Sequence, residues 1–267
     1  MQLCYSPSFI LFNFMQGINL VHTPESGITH HLVSNYTANA SIAASLVLAA
    51  QFAKSEWLGE IIRLGSSTQD KPGASQLEKA FTLPPLSKYR PSFSPTLQNS
   101  HKVVKVWEPN EERLNMLNGY RFFLVNVNLK APGSDMKDLI QRGGGTFEHM
   151  NMHSNKSMWH KALVRGTAKE GQKLVLVGDQ EPLKTAVGER EWQDLMREVE
   201  MYVCVTISDD VQLTFLCSFN LPFISSGDLV EAVINIDVSP FNNKEGAPGK
   251  ELPGEPLILI SHVNILF

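Results

Sequence analysis

The stretch Asn118–Met150, NGYRFFLVNVNLKAPGSDMKDLIQRGGGTFEHM, decides how the rest of the chain is read. Asn118-Gly119 is a turn signal, and Arg121 to Asn128 carries Phe122, Phe123, Leu124, Val125 and Val127, the length and β-rich composition of a buried strand. Pro132, Gly133 and Ser134 break that strand and open a helix whose Met136, Leu139 and Ile140 share one face. The helix stops at Gly143-Gly144-Gly145, where the lack of a Cβ permits a left-handed exit into a further strand, Thr146 to Met150. Strand, helix, glycine stop and strand within about thirty residues make one βαβ unit.

Outward from this unit the pattern continues. KLVLV at 173–177 reads as a second buried strand, and Glu189 to Glu200 sets Trp192, Leu195, Met196 and Val199 on one face of an amphipathic helix. The polar residues 151–171 read as a long surface loop or a pair of short irregular pieces. Upstream, Ile18 to Val21 and Thr29 to Val33 are short strands, residues 8–16 a strand or a helix, and Ala38 to Phe52 a buried Ala-rich helix. A further helix from Lys54 to Leu64 aligns Trp57, Leu58, Ile61 and Ile62. The Ser- and Pro-rich residues 65–104 read as a linker between two folded units. Helices alternating with strands on this scale predict α/β units, each a short, mainly parallel sheet with helices on both faces.

Composition sets outer bounds. The 267 residues, 43% hydrophobic, suffice for one large or two small domains. A formal net charge of −4 argues against a generally basic, DNA-coating surface. Cys4, Cys204 and Cys217 cannot pair completely and form no metal-like cluster, which fits a reduced intracellular compartment. No Lys or Arg precedes the apolar stretch at 9–15, so a secretory leader is not expected, and no apolar run reaches the roughly 20 residues that span a bilayer.

These pieces resemble the BRCT domain, in two copies. The resemblance is carried by Gly143, Gly144 and Gly145 after the helix, by the strand KLVLV, and by the late-helix tryptophans Trp57 and Trp192. THHLV at 29–33, FTLPPLSKYRPSFSP at 81–95 and FISSGDLVEAVINIDV at 223–238 add to it, the middle one being similar to the proline-containing approach to the second unit of a tandem BRCT scaffold. The resemblance implies an α/β fold of two BRCT-like units, each a small parallel sheet flanked by helices, with the first truncated at its N-terminus because Met1 to Phe14 makes a poor opening strand. It divides the chain into a first unit at 1–64, a linker at 65–104, a second unit at 105–200, an insertion at 201–222, a trailing strand segment at 223–241 and a flexible tail at 242–267. The insertion and the short beginning read as marks of a partial or mis-spliced gene product.

The same resemblance implies a non-enzymatic nuclear scaffold of double-strand-break repair and damage signalling that needs no cofactor. Its partners would be the nuclease and coiled-coil ATPase subunits of a break-repair complex and phosphorylated adaptor proteins, with DNA met only indirectly and no membrane. The alternative is an accessory BRCT region of a DNA-processing enzyme such as a ligase or polymerase. In phosphopeptide-binding members, phosphate is held by a Ser or Thr ending the first strand, a backbone amide and a Lys on the second helix. By resemblance Ser41, Ser45 and Lys54 are the candidates here, although the helix predicted at 38–52 contains no Lys or Arg.

Other chemistry is weak. The triple glycine follows a helix, and no Gly-Lys-Ser/Thr accompanies it, which excludes a phosphate-cradling loop. His149, His153 and His160 lack the carboxylate or cysteine that would complete a metal set. No nucleophile elbow is present. Trp57 and Trp192 lie on apolar stripes and read as core.

Overall fold

Two four-stranded parallel sheets carry the fold, each flanked by helices; the computed structural model describes residues 2–5, 18–22, 27–66, 83–127, 134–154, 156–167, 172–208, 211–218 and 221–242. In the first, β1 (Gln2–Tyr5) lies between β2 (Asn19–Val21) and β3 (His30–Leu32), parallel to both. A two-residue strand, β4 (Asn35–Tyr36), leaves this sheet, α1 (Ala40–Leu46) follows, and β5 (Gln51–Ala53) returns beside β3. The order is therefore β2-β1-β3-β5. A strand at Gln2–Tyr5 corrects the expectation that the first unit lacks its opening strand. Four residues are enough when both edges are paired. Residues 8–16, 67–82 and 243–267, and the expectations placed on them, lie outside the described residues.

The helix predicted over 38–52 is shorter than its Ala-rich composition suggested. Asn39 starts it, its Oδ1 accepting the Ile42 amide at 2.9 Å. It ends at Leu46 because Ala49 takes a left-handed φ of 53° and the Ala50 amide closes back on the Ser45 carbonyl at 3.0 Å. Phe52 is accordingly a strand residue. From β5 the chain enters α2 (Ser55–Ser66), which buries Trp57, Leu58 and Ile61.

The region read as a linker is packed where it is described. β6 (Ser92–Phe93) pairs with β4, and four short 3-10 turns lie between Leu86 and Arg113. The buried Trp107 stacks on Tyr36 at 4.9 Å and donates its indole N–H to the His101 carbonyl at 2.8 Å.

In the second unit β7 (Tyr120–Asn126), α3 (Ser134–Arg142) and β8 (Thr146–Asn151) form the predicted βαβ unit, its strands parallel. α4 (Lys156–Thr167) occupies part of the segment expected to be a surface loop, burying Trp159, Ala162 and Leu163 at helical spacing. β9 (Lys173–Val177) then pairs along the other edge of β7. With a strand on each side, β7 is buried from Tyr120 to Val125, and its apolar run is continuous instead of alternating.

α5 (Gln180–Val187) and α6 (Glu189–Glu200) follow, the second being the amphipathic helix predicted. Within the expected insertion, β10 (Met201–Ser208) and β11 (Val211–Ser218) pair antiparallel. β12 (Phe223–Ile224) completes the sheet as β12-β9-β7-β8, and α7 (Ser226–Asn235) follows it. The segment expected to trail as a strand is thus mainly helix. The Ser225–Asp228 capping box starts α7, each side chain accepting the other residue's amide.

Counted in chain order within each unit, both sheets run second, first, third, fourth. α1 packs against α3 and α7, and one apolar core, including Ala43, Ala44, Leu139, Ile140, Leu229 and Val233, joins the two units. The alanines let the helix backbones approach closely. Arg113 fixes the connector to this junction. Its buried guanidinium donates to the carbonyls of Val106, Glu108, Val233 and Ile234 at 2.6–3.1 Å, two of them at the end of α7, where the helix dipole favours a cation.

The two tryptophans are not equivalent. Trp57 lies on the helix after the fourth strand of its sheet, whereas Trp192 lies on α6, ahead of the fourth strand, and the helix in the matching place, α7, has no tryptophan.

Candidate functional site

The phosphate candidates differ in exposure. Ser45 is fully buried, with Oγ 2.8 Å from His31 Nδ1, and so serves the interior. Burial pulls the His31 pKa from 6.5 to about 4, so the imidazole is neutral at neutral pH. Ser41, in the first turn of α1, and Lys54, between β5 and α2, are half-buried. The Lys54 amide donates to the Tyr89 carbonyl at 2.7 Å. Ser6 follows β1 in the sequence but lies outside the described residues.

The glycines and tryptophans that carried the resemblance serve packing. Gly144 takes φ +86°, and a Cβ on Gly143 would stand 2.7 Å from Leu117 Cδ1, so the glycines stop α3 hard against the connector. Trp57 donates its indole N–H to the Pro84 carbonyl at 2.8 Å and stacks on His30 at 4.4 Å. Trp192 meets Phe223 edge to face at 5.7 Å. His149 is exposed on β8, and His153 is exposed beyond that strand; the side chain of His160 lies outside the described set. Among the described residues no three His, Cys, Asp or Glu side chains converge on a metal position, and no helix is long and apolar enough to cross a membrane.

A cleft that the sequence did not disclose opens at the carboxyl ends of β7 and β9, with a volume of about 530 Å³. The chain leaves β7 for β8 on one side and returns to β9 on the other, the switch in direction at which parallel sheets form binding crevices. Ala40 of α1 contributes to it from the first unit, while Val127, Met136, Pro182 and Leu183 make an apolar wall. Asp135 and Asp179 stand exposed on its rim. Gly178 forms part of the floor, where a Cβ would come within 2.8 Å of Leu183 Cδ1. The described lining comes from six separate elements and the turns beside them, so no short sequence signal could have announced it.

The class of fold is thus α/β, with two small parallel sheets of one strand order. No family model matches the chain and no curated protein matches it. Among solved structures it is similar to the Schizosaccharomyces pombe Brc1 BRCT5–BRCT6 domains, with 11% identity, 91% of this chain and 95% of that one covered, and a TM-score of 0.49. It is also similar to the S. pombe Nbs1 FHA/BRCT-repeat domain, with 13% identity, coverage of 88% of this chain and 59% of that one, and a TM-score of 0.42.

Proposed function

We propose that the chain is a non-enzymatic adaptor of double-strand-break repair and damage signalling, acting in the nucleus through protein binding at its two BRCT-like units. The observation that carries this reading is the joint core of α1, α3 and α7, which makes the two units one platform with a crevice beside the junction. The order of pieces in the sequence resembles the tandem BRCT region of nibrin, though not its forkhead-associated domain, and supplies the expected partners: the nuclease and coiled-coil ATPase subunits of the break-repair complex. Phosphorylated adaptor proteins are a further partner class, for which Ser41 and Lys54 remain candidates and Ser45 does not.

The test is to co-express the full chain with the nuclease and ATPase subunits and follow co-elution on size exclusion. Co-elution is expected, and its loss is expected in Ala44→Trp, which forces an indole into the α1 junction. Free elution of the unaltered chain would refute the reading. Titration with phosphorylated and unphosphorylated acidic Ser/Thr peptides separates phosphate recognition from binding as such, since equal affinity removes the phosphate.

A further inference from the structure

The described rim of the crevice between β7 and β9 carries carboxylates. Helix N-termini attract anions through amides that the helix leaves without partners. Around this crevice one such amide of α1 and two of α7 are taken by oxygens of the chain itself. Asn39 Oδ1 accepts the Ile42 amide of α1 at 2.9 Å, Ser225 Oγ accepts the Asp228 amide of α7 at 3.0 Å, and Asp179 Oδ1 accepts the Ser226 amide at 3.3 Å. The described lining holds two carboxylates, Asp135 and Asp179, and no Lys, Arg or His. Below that rim the wall is apolar, formed by Val127, Met136, Pro182 and Leu183.

An aliphatic wall ending in carboxylates complements one kind of side chain, a hydrocarbon stem with a cationic head. We infer that this crevice takes a lysine or arginine side chain from an extended peptide of the partner protein, its stem on Met136 and Pro182 and its head between Asp135 and Asp179. The inference rests on the adaptor reading and adds to it the residue type that the platform selects. A volume of about 530 Å³ is within the range of sites that enclose a small ligand, and one long side chain with its flanking backbone fits it. Asp179 holds its place through the Ser226 amide, and Asp135 is on the first turn of α3, so both carboxylates stand on regular elements.

The probe is a fluorescein-labelled heptapeptide of alternating serine and alanine with arginine at its centre, titrated by anisotropy against the full chain. Two counterparts carry citrulline, which keeps the shape and removes the charge, or phosphoserine at the centre. The arginine peptide is expected to bind at least about tenfold more tightly than either, the scale of one charge-assisted hydrogen bond. Asp135→Asn with Asp179→Asn is expected to remove that preference while circular dichroism stays unchanged, because Asn keeps the oxygen that meets the Ser226 amide. Equal affinity for arginine and citrulline, preference for phosphoserine, no saturable binding of any of the three, or an unchanged preference in the Asn variant would each overturn the inference. If the chain co-elutes with the nuclease and ATPase subunits yet ignores arginine, the adaptor reading survives and the selectivity falls; arginine selectivity without co-elution has the opposite meaning.

Discussion

The two units share a strand order and differ in what fills the third strand. In the first, β3 buries His30 and His31, whereas in the second β9 buries Leu174, Val175, Leu176 and Val177. One topology is therefore sealed in two ways. At this strand the first unit places polar rings beside particular partners, Ser45 for His31 and Trp57 for His30, and the second buries only aliphatic side chains. A core held by matched polar contacts is more sensitive to single changes and to pH than one filled with hydrocarbon.

The largest effect expected from this contrast is at the tryptophans. Trp57→Ala removes a fully buried indole together with its stacking and hydrogen bond, and should cost about 5 kcal/mol, the upper end for a large core truncation. Trp192→Ala, at a position 8% exposed, should cost about 3 kcal/mol. Urea midpoints of the two variants measure the difference. Equal losses would mean that the units are sealed alike.

Acid should separate the units next. The His31 pKa is about 4 folded against 6.5 for an ordinary histidine, so between those values the unfolded chain binds a proton that the folded chain refuses. The His31 contribution is therefore complete above pH 6.5, declines as the pH falls, and is fully lost near pH 4. That loss is on the order of 3 kcal/mol. Burial lowers the His30 pKa too, in the same direction. Hydrogen exchange at pH 7 and pH 5, corrected for intrinsic rates, should show protection falling in α1, β3 and β5 before β7 and β9. Simultaneous loss would remove the contrast.

The smallest effect sharpens the second unit alone. Gly144→Ala forces a side chain onto φ +86° and should cost about 1 kcal/mol, read as a lower melting temperature with an unchanged first unit.

The second unit was also the more legible from sequence. Its βαβ core was readable because an uninterrupted apolar strand and a triple glycine each admit few conformations. α4 was missed because Trp159, Ala162 and Leu163, which it buries, are set among Lys, Ser and His that read as loop. α7 was overlooked although Ser225 and Asp228 spell a capping box three residues apart. In the first unit nothing marks where α1 ends, since the left-handed residue is an alanine, and β1 is four residues long. The crevice was illegible for another reason: its rim and wall meet only after residues 40, 127, 136, 182 and 226 have been folded onto one another.

Arg113 has a consequence for the order in which the protein is made. Its acceptors at Val233 and Ile234 lie 120 and 121 residues downstream, so on the ribosome its guanidinium must wait, hydrated, until every strand of the second sheet has emerged. The connector then locks in the same event that seats the last helix, and a nascent chain stopped before Val233 would lack two of the four carbonyls that hold Arg113.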